Sequence, residues 1–346
     1  MEEKKYYAEE VKKESPFRQA YLDDVLSFLE KGRASAEKDR DEFISPEKFV
    51  GNEDFYRKEF VKMLGFPLTE DKVVPTLIKK EFVAKDKNVN IYRLQFSCYE
   101  GIRFYAMYFE QIIAKETAPF IIGIHGGAGT PETISSVYFN SGNYNHMIRR
   151  ATDRGANVLV PQLLLWGADQ FGSSYNREHI DGKLRQLGGS ITALEIKLLS
   201  SLIDYFLENE NINKKKLAVM GMSYGGMYAY HLTAFDKRVK ACYSSSWVAD
   251  VFVNSWADWS YFNAQKLFTA VEIGALISPR PLVVAMGDVD ELFNGEETKR
   301  IGKMLKEYYK LYGKEENLFV DVYKGRHEVS LADDDFDFFF KHLNNM

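Results

Sequence analysis

A serine flanked by glycines, in Gly221-Met222-Ser223-Tyr224-Gly225, is the most chemically informative short segment of the sequence. It follows an apolar run, Leu217 to Met220, and precedes a helix-like run, Met227 to Leu232. The pattern G-x-S-x-G at a strand-to-helix junction is typical of a nucleophile elbow, a sharp turn that strains the serine backbone and exposes its hydroxyl. The helix N-terminus behind it favours developing negative charge. The pattern predicts Ser223 as a nucleophile, with a glycine-rich packing turn as the alternative.

A second glycine-rich loop, His125-Gly126-Gly127-Ala128-Gly129, follows the apolar run Pro119 to Ile124. Acyl transfer to a serine creates an oxyanion, which needs preorganised N–H donors worth roughly 3 kcal/mol each. The amide of Tyr224, directly after the serine, is one predicted donor. The loop supplies the other, from Gly127, with Gly126 shaping the approach. A flexible turn is the alternative for this loop, and its pairing with the serine motif favours an oxyanion hole made of Gly126, Gly127 and Tyr224.

A serine hydroxyl is a poor nucleophile until a base accepts its proton, and that base must be oriented by a carboxylate. Among the six histidines, His327 in Gly325-Arg326-His327 comes just after the last predicted strand. The other five are placed differently: His125 in the glycine-rich loop, His146 and His179 before the serine and after no predicted strand, His231 in the helix after the serine, and His342 in the C-terminal helix. His327 is therefore the predicted base, and a surface-loop histidine is the alternative.

The orienting carboxylate is expected between the serine and the histidine, at the end of the preceding strand. The apolar run Pro281 to Gly287 leads into Asp288-Val289-Asp290-Glu291, which offers three carboxylates. Periodicity does not choose among them, because the loop interrupts the alternation of the strand.

The elements that must position these residues are short apolar runs alternating with helix-length segments. Before them, three stretches with alternating or β-branched apolar positions predict two or three antiparallel strands: 78–83, 89–96 and 102–108. Six runs then predict buried strands: 119–124, 157–160, 217–220, 239–243, 282–286 and 318–322. The amphipathic segments 191–207 and 298–312 predict helices between them. Such alternation indicates an α/β fold, a mostly parallel sheet with helices on both faces, in which ligands bind at the carboxyl ends of the strands.

The first part of the chain, 1–72, is predicted to be a helical lead segment that packs as an appendage, with a functional tail as the alternative, and a catalytic domain follows over 73–346. Ser15-Pro16 is a good helix start and Gly32 a plausible helix end. A second helix is expected from Asn52 as its cap to Gly65. The polar link 33–41 between the two helices is predicted to contribute nothing to a core.

Taken together, these motifs resemble those of an α/β-hydrolase, and within that superfamily the dienelactone hydrolase and acetyl xylan esterase-like group, which is related to prolyl oligopeptidase catalytic domains. The resemblance covers roughly residues 75 to 346. It rests on four stretches: His125-Gly126-Gly127, Gly221 to Gly226, Ser278 to Asp290, and Gly325-Arg326-His327. It implies that Asp290, three residues after the strand-ending glycine, is the acid and that Asp288 shapes the turn.

The chain also departs from its apparent relatives. Dienelactone hydrolases proper use a cysteine nucleophile where this chain has Ser223, which argues against that reaction. Prolyl oligopeptidases add a large propeller domain, for which the lead segment is far too short. Many relatives have an acidic residue after the strand that ends at Val160, whereas this chain has Pro161-Gln162.

Two aromatic segments are candidates for the substrate pocket. The loop through Trp166, Asp169 and Phe171 is predicted to form a substrate wall. The aromatic residues of segment 245–278 either form a lid or stack a sugar ring, or they pack the segment onto the body of the domain, and both interpretations stay open. The pocket candidates are Trp166, Trp247 and Trp256.

Composition limits the classes of partner. Lys and Arg number 45 against 50 Asp and Glu, so the net charge of −5 provides no global basic field for nucleic acid or an anionic membrane. The N-terminus lacks the apolar stretch of a secretory signal. The two cysteines, Cys98 and Cys242, fit neither a zinc site nor a C-x-x-C motif, and buried thiols are expected. These features predict a soluble cytoplasmic protein.

The sequence therefore predicts a serine carboxylesterase with Ser223, His327 and Asp290 as its triad, and no metal or organic cofactor is implied. The expected partner is a small-molecule ester; the resemblance suggests an acetyl ester of a carbohydrate or small metabolite. A homo-oligomer is not indicated. Two alternatives stay open: a small serine peptidase acting on short peptides, and a non-catalytic binding protein on the same scaffold.

Overall fold

The computed structural model describes residues 6–10, 12–113, 116–138, 140–167, 174–210 and 212–346. Its described strands form one sheet in the order β1-β2-β3-β5-β4-β6-β7-β8-β9. The strands are β1 (Thr76–Asp86), β2 (Val89–Ser97), β3 (Arg103–Gln111), β4 (Phe120–Ile124), β5 (Asn157–Pro161), β6 (Leu217–Met222), β7 (Ala241–Ser245), β8 (Leu282–Gly287) and β9 (Leu318–Tyr323). The first three strands are antiparallel, and the pairs from β5 through β4 to β9 are parallel. The predicted α/β class with an antiparallel start is confirmed.

Helices cover both faces of the sheet. They are α1 (Ser15–Phe43), α2 (Pro46–Phe49), α3 (Glu53–Leu64), α4 (Pro131–Ile134), α5 (Met147–Asp153), α6 (Arg177–Gln186), α7 (Ile191–Asn209), α8 (Tyr224–Phe235), α9 (Ala264–Leu267), α10 (Ala270–Ala275), α11 (Gly295–Lys310) and α12 (Asp334–Asn344). Within the described ranges, none of them is long and apolar enough to cross a lipid bilayer.

The core consists of two layers separated by the sheet. Successive side chains of a strand point to opposite faces, so β4 contributes Phe120 and Ile122 to one layer and Ile121 to the other. The first layer packs against α3, α7, α8, α10 and α11, and the second against α5 and α12. The two cysteines are free and buried, as expected.

The helix α1 extends well beyond its predicted end. Gly32 lies inside the helix, and the link predicted to be coreless is helical as far as Phe43. Buried polar contacts override the glycine: Arg40 Nη1 donates to the Gln265 carbonyl (2.7 Å), and Arg40 Nε lies 3.3 Å from Glu272 Oε1. The polar residues that indicated a linker are the ones that fasten this helix to segment 245–278. Tertiary contacts of this kind outweigh intrinsic helix propensity.

Replacing Gly32 by alanine is expected to stabilise the protein by about 0.5–1 kcal/mol, because a glycine inside a helix costs conformational entropy. A Cβ at Gly32 meets no atom within 4 Å. The measurement is the free energy of unfolding from urea titration. Gly65→Ala is the matched control and is expected to destabilise, since Gly65 has φ +79° and its Cβ would lie 2.3 Å from the Gly188 carbonyl oxygen. A destabilised Gly32→Ala variant would contradict the helical environment described here.

Candidate active site

The serine motif forms a strained turn between β6 and α8. Ser223 has φ 60° and ψ −125°, a left-handed conformation that a residue with a side chain adopts only at a cost. Positions 221 and 225, on either side of Ser223, must be glycine, because a side chain there would collide with the backbone. A Cβ at Gly221 would lie 2.1 Å from the Gly225 carbonyl oxygen, and a Cβ at Gly225 would lie 2.0 Å from the Ile124 carbonyl oxygen. The turn therefore has the geometry of a nucleophile elbow at the carboxyl end of a central strand.

The predicted base and acid form a hydrogen-bonded pair. His327 Nδ1 lies 2.8 Å from Asp290 Oδ2. The Asp290 side chain is fully buried, and its Oδ1 accepts the backbone amides of Leu292 (2.8 Å) and Phe293 (3.0 Å). Because a carboxylate accepts, His327 Nδ1 carries the proton and Nε2 keeps the lone pair that a general base uses.

The other two carboxylates of this loop hold backbone rather than the imidazole ring. Asp288 Oδ1 accepts the Gly325 amide (3.0 Å), which joins the loop after β8 to the loop after β9. Glu291 Oε2 accepts the backbone amide of His327 (3.1 Å), and Glu291 also pairs with Arg326. The sequence did not single out Glu291 for this role, because periodicity treats the three carboxylates alike.

Asn143 links the serine turn to the histidine loop. Its Nδ2 donates to the His327 carbonyl (3.0 Å) and lies 3.9 Å from the sulfur of Met222, the residue before Ser223. Within the described ranges, no hydrogen bond joins Ser223 Oγ to the His327 ring. The structure thus pairs His327 directly with Asp290 and brings their loop beside the serine turn through neighbouring residues.

The His-Gly-Gly loop lies directly over the serine. A Cβ at Gly126 would lie 3.1 Å from the Ser223 Cβ, and a Cβ at Gly127 would lie 3.5 Å from the Tyr224 ring. The Gly126 amide donates to Tyr144 Oη (2.8 Å) and is therefore already satisfied inside the protein. Gly126 shapes the loop but is not a free donor, which narrows the predicted oxyanion donors to Gly127 and Tyr224. Tyr144 was missed because a lone tyrosine outside any motif carries no sequence signal.

His125 anchors this loop. Its Nε2 accepts from the Leu163 amide (3.1 Å) and Gln162 Nε2 (3.0 Å), and its Nδ1 lies 2.9 Å from the Gly126 carbonyl. Burial lowers the pKa of His125 to about 4, so the ring is neutral near pH 7 and Nε2 can accept. Gln162, which stands where many relatives have an acidic residue, therefore serves as a donor to a neutral histidine.

A buried charged network holds the side chain of Tyr224. Tyr224 Oη donates to Asp258 Oδ1 (2.9 Å), and Asp258 Oδ2 accepts from Arg177 Nε (2.5 Å). Arg177 Nη2 also donates to Glu195 Oε2 (3.0 Å). The other carboxylate oxygen of Glu195, Oε1, accepts the Leu164 amide (2.8 Å). The network joins segment 245–278 to α6, α7 and the residue after the serine. Its charged members lie far apart in the sequence, so no local pattern could have indicated it.

Of the three pocket candidates, Trp256 lies beside the predicted catalytic residues. It stacks on Tyr224, with ring centroids 6.0 Å apart, and contacts Phe293 at 5.9 Å. Phe293 in turn lies 5.7 Å from the His327 ring. With Trp259, which stacks on Trp256 at 4.3 Å, these rings form an aromatic wall between Tyr224 and His327.

The other two candidates lie elsewhere. Trp247 is buried in the core against Tyr230 and His231, with ring centroids 5.3 Å apart in each case, because it lies two residues after β7 and its ring enters the apolar layer. Trp247 thus packs onto the body of the domain, which is one of the two interpretations left open for segment 245–278. Trp166 packs on Tyr175 at 4.6 Å. The rest of the predicted wall, Asp169 and Phe171, lies outside the described residues.

The chain has relatives in sequence and in structure. The sequence model of the dienelactone hydrolase family matches residues 136–325, more than half of the chain, a range that contains Ser223 and Asp290 and ends just before His327. A provisionally named hydrolase of Bacillus subtilis, YtaP, is 31% identical over 117 residues, which are 32% of this chain and 39% of that protein. The match to this relative thus spans well under half of its length.

Solved structures with low sequence identity share the fold. A provisionally named acetyl xylan esterase from Bacteroides fragilis has a TM-score of 0.66 at 15% identity, covering 87% of this chain and 84% of its own. A glucuronoyl esterase from Solibacter usitatus has a TM-score of 0.64 at 13% identity, and the match covers 85% of this chain and 92% of that protein. A promiscuous CE15 esterase from a marine bacterial metagenome has a TM-score of 0.62 at 16% identity, and the match covers 85% of this chain and 91% of that protein. With the family match over more than half of its length and the fold described above, the chain belongs to the dienelactone hydrolase family and is an α/β-hydrolase.

Proposed function

We propose that this hydrolase cleaves carboxylic esters through a covalent acyl-enzyme on Ser223. The observation that carries the proposal is the strained serine turn beside a His327–Asp290 pair in which the carboxylate is fully buried and bound by backbone amides. A turn that only connects a strand to a helix would need no strained backbone at the serine. It would also need no buried carboxylate hydrogen-bonded to a histidine. Perturbed groups and strained backbone of this kind concentrate at functional sites.

In the proposed first half-reaction, Ser223 Oγ attacks the ester carbonyl while His327 Nε2 accepts the hydroxyl proton. Asp290 holds the imidazole in the required tautomer and stabilises the imidazolium that forms. The amides of Gly127 and Tyr224 stabilise the negative oxygen of the tetrahedral intermediate. The intermediate collapses, the C–O bond to the alcohol breaks, and His327 delivers its proton to the departing alkoxide.

In the second half-reaction, water attacks the acyl-enzyme and His327 accepts a proton from it. The second tetrahedral intermediate releases the carboxylic acid and returns the proton to Ser223 Oγ. Ester and water enter, and acid and alcohol leave. The same residues serve both halves.

The proposed substrate is a small ester, and the acetyl ester of a carbohydrate or small metabolite is the favoured class. Three structural neighbours are named as esterases of acetyl xylan, glucuronoyl or CE15 type, which supports ester over amide substrates. Trp256 in the aromatic wall offers a face on which a sugar ring can stack.

The proposal is tested by comparing kcat/KM on p-nitrophenyl acetate and acetylated xylose with kcat/KM on alanine p-nitroanilide. We expect hydrolysis of the acetyl esters, with release of acetate, and slower cleavage of the aminoacyl amide. Faster amide cleavage would replace the esterase proposal by a peptidase. If neither ester is turned over by folded protein, the hydrolysis of acetyl esters is contradicted.

The variant Tyr144→Phe is expected to lower kcat on p-nitrophenyl acetate by about tenfold, because it leaves the buried Gly126 amide without its acceptor and loosens the oxyanion loop. Burial raises the pKa of Tyr144 to about 12, so its hydroxyl is protonated at assay pH. Tyr309→Phe is the matched control, since Tyr309 Oη binds the Arg280 carbonyl (2.8 Å) away from the loop. Equal activity of the two variants would show that Tyr144 does not position the loop.

A further inference from the structure

The first half of α1, from Ser15 to Gly32, is an amphipathic helix that remains exposed. Among the described residues of this half, every position except the partly buried Val25 is exposed. Its apolar residues occupy one side of the helix at spacings of three and four, and they are Phe17, Tyr21, Leu22, Val25, Leu26, Phe28 and Leu29. We call these seven residues the α1 stripe. The opposite side of the helix is polar.

The α1 stripe is large enough for a stable protein interface. Its aromatic residues Phe17, Tyr21 and Phe28 are 80%, 74% and 71% exposed, and its three leucines are 44–51% exposed. Together these side chains present roughly 450–750 Å² of apolar surface. A standard interface buries about 800 Å² per partner, of which slightly more than half is apolar. Apolar patches larger than a few hundred Å² mark interaction sites on soluble proteins, so the stripe requires an occupant.

The stripe continues the face by which α1 already packs. Ala36 lies 11 residues, or about three helical turns, after Val25, so the two residues share one face of the helix. In the second half of α1, Ala36 and Arg40 are buried, and Arg40 Nη1 donates to the Gln265 carbonyl (2.7 Å). Most of the stability of a helix in a protein comes from packing of its apolar face. The first half therefore needs a surface that covers it as segment 245–278 covers the second.

The pattern of the stripe is complementary to itself. Leu22 and Phe28 lie three residues on either side of Val25. Tyr21 and Leu29 lie four residues on either side of it. Two such helices packed antiparallel about a twofold axis at Val25 set Leu22 of each copy opposite Phe28 of the other, and Tyr21 opposite Leu29. A twofold interface requires this relation, in which each patch matches its own copy.

We propose that the protein forms a homodimer in which the α1 stripes of two copies pack antiparallel about Val25. The charges of this half of α1 favour a second copy over a lipid surface. Residues 15–32 carry two cations, Arg18 and Lys31, against three carboxylates. Helices that lie on membranes are rich in Lys and Arg on their polar face, and an anionic bilayer repels a helix with excess acid. The carboxylates and Lys31 lie outside the stripe, so the dimer leaves them in water.

The test is sedimentation equilibrium of the whole chain over about 1–100 µM. We expect the mass of two chains for the wild type. Val25→Glu is expected to weaken association by about 100-fold or more, because the twofold axis brings two carboxylates together in an apolar contact. Glutamate favours a helix more than valine does, so this loss does not come from unfolding of α1. Phe82→Glu is the matched control, since Phe82 is 58% exposed on the edge strand β1, and we expect it to keep the wild-type mass.

Charge complementation separates a direct contact from an indirect effect. Val25→Lys alone is expected to dissociate the dimer as Val25→Glu does. An equimolar mixture of the two variants is expected to regain the mass of two chains, because opposite charges then meet at the axis. Circular dichroism establishes that each variant is folded. Tyr21→Glu and Leu29→Lys, which face each other in this packing, replace the pair if either Val25 variant does not fold.

Each contrary result overturns a defined part of the proposal. A wild-type protein that sediments as one chain at about 100 µM would contradict the dimer. A dimer that survives Val25→Glu, or that Phe82→Glu dissociates instead, would place the interface away from the stripe. Two dissociated variants that do not associate when mixed would exclude the antiparallel packing about Val25. Flotation of the wild type, but not of Val25→Glu, with phosphatidylcholine vesicles would assign the stripe to a lipid surface. None of these measurements uses ester turnover, so their outcome is independent of the proposed function.

Discussion

Ser223→Ala is expected to lower kcat on p-nitrophenyl acetate by about 10⁴-fold or more, because the variant has no nucleophile to form the acyl-enzyme. A small residual rate is expected from the oxyanion donors, which still stabilise attack by water. The measurement is the steady-state rate together with the acyl-enzyme burst, which should disappear. Thermal unfolding of the variant establishes that the fold is retained.

The control is Ser244→Ala on the neighbouring strand β7. Ser244 is fully buried, and its Oγ donates to the Gly226 carbonyl (3.0 Å), so its loss disturbs the same helix start without removing the nucleophile. We expect a change of less than about tenfold, the cost of one neutral hydrogen bond. If Ser244→Ala were as inactive as Ser223→Ala, the loss would reflect a distorted turn rather than missing chemistry.

Asp290→Asn is expected to lower kcat by about 10³- to 10⁴-fold with the fold intact. The asparagine oxygen still accepts the amides of Leu292 and Phe293, while its NH₂ group faces His327 Nδ1. The histidine then accepts at Nδ1 and carries its proton on Nε2, where it cannot receive the proton of the serine. Steady-state kinetics on p-nitrophenyl acetate measure the loss.

Asp288→Asn is the matched control from the same loop. Asp288 accepts the Gly325 amide and does not contact the imidazole, and an asparagine oxygen preserves that bond. Its kcat is expected to stay within about tenfold of wild type. A larger loss of kcat for Asp288→Asn than for Asp290→Asn would show that Asp290 is not the carboxylate that orients His327.

The parts of the fold that sequence patterns predict are those dictated by local periodicity. All six apolar runs coincide with strands β4 to β9. Strands β4 to β8 are buried because a strand covered on both faces must be apolar, whereas the edge strand β9 is only half-buried. Asn52 and Gly65 were correctly placed at the ends of α3, since Gly65 adopts φ +79°. Gly32 does not end α1 as predicted. The contacts of Arg33 and Arg40 with segment 245–278, more than 200 residues away in the sequence, keep residues 33–43 helical.

The candidate site divides in the same way. Ser223 and His327 follow from motifs at strand ends, whereas the choice of Asp290 rested on family resemblance, since alternation stops at the loop. Trp247 and Trp256 belong to one aromatic segment, and only the path of the chain puts one in the core and the other on Tyr224. Contacts of single residues from distant segments, such as Tyr144 with Gly126, leave no pattern that periodicity can detect.

The most direct test of the central claim is covalent labelling with a fluorophosphonate, read by intact-protein mass spectrometry and peptide mapping. The account predicts one adduct per chain, on Ser223, formed rapidly by the wild-type protein and much more slowly by His327→Ala, because the serine then lacks its base. Folded wild-type protein that takes up no label, or that is labelled at a residue other than Ser223, would contradict a catalytic serine at this turn and favour a non-catalytic use of the scaffold.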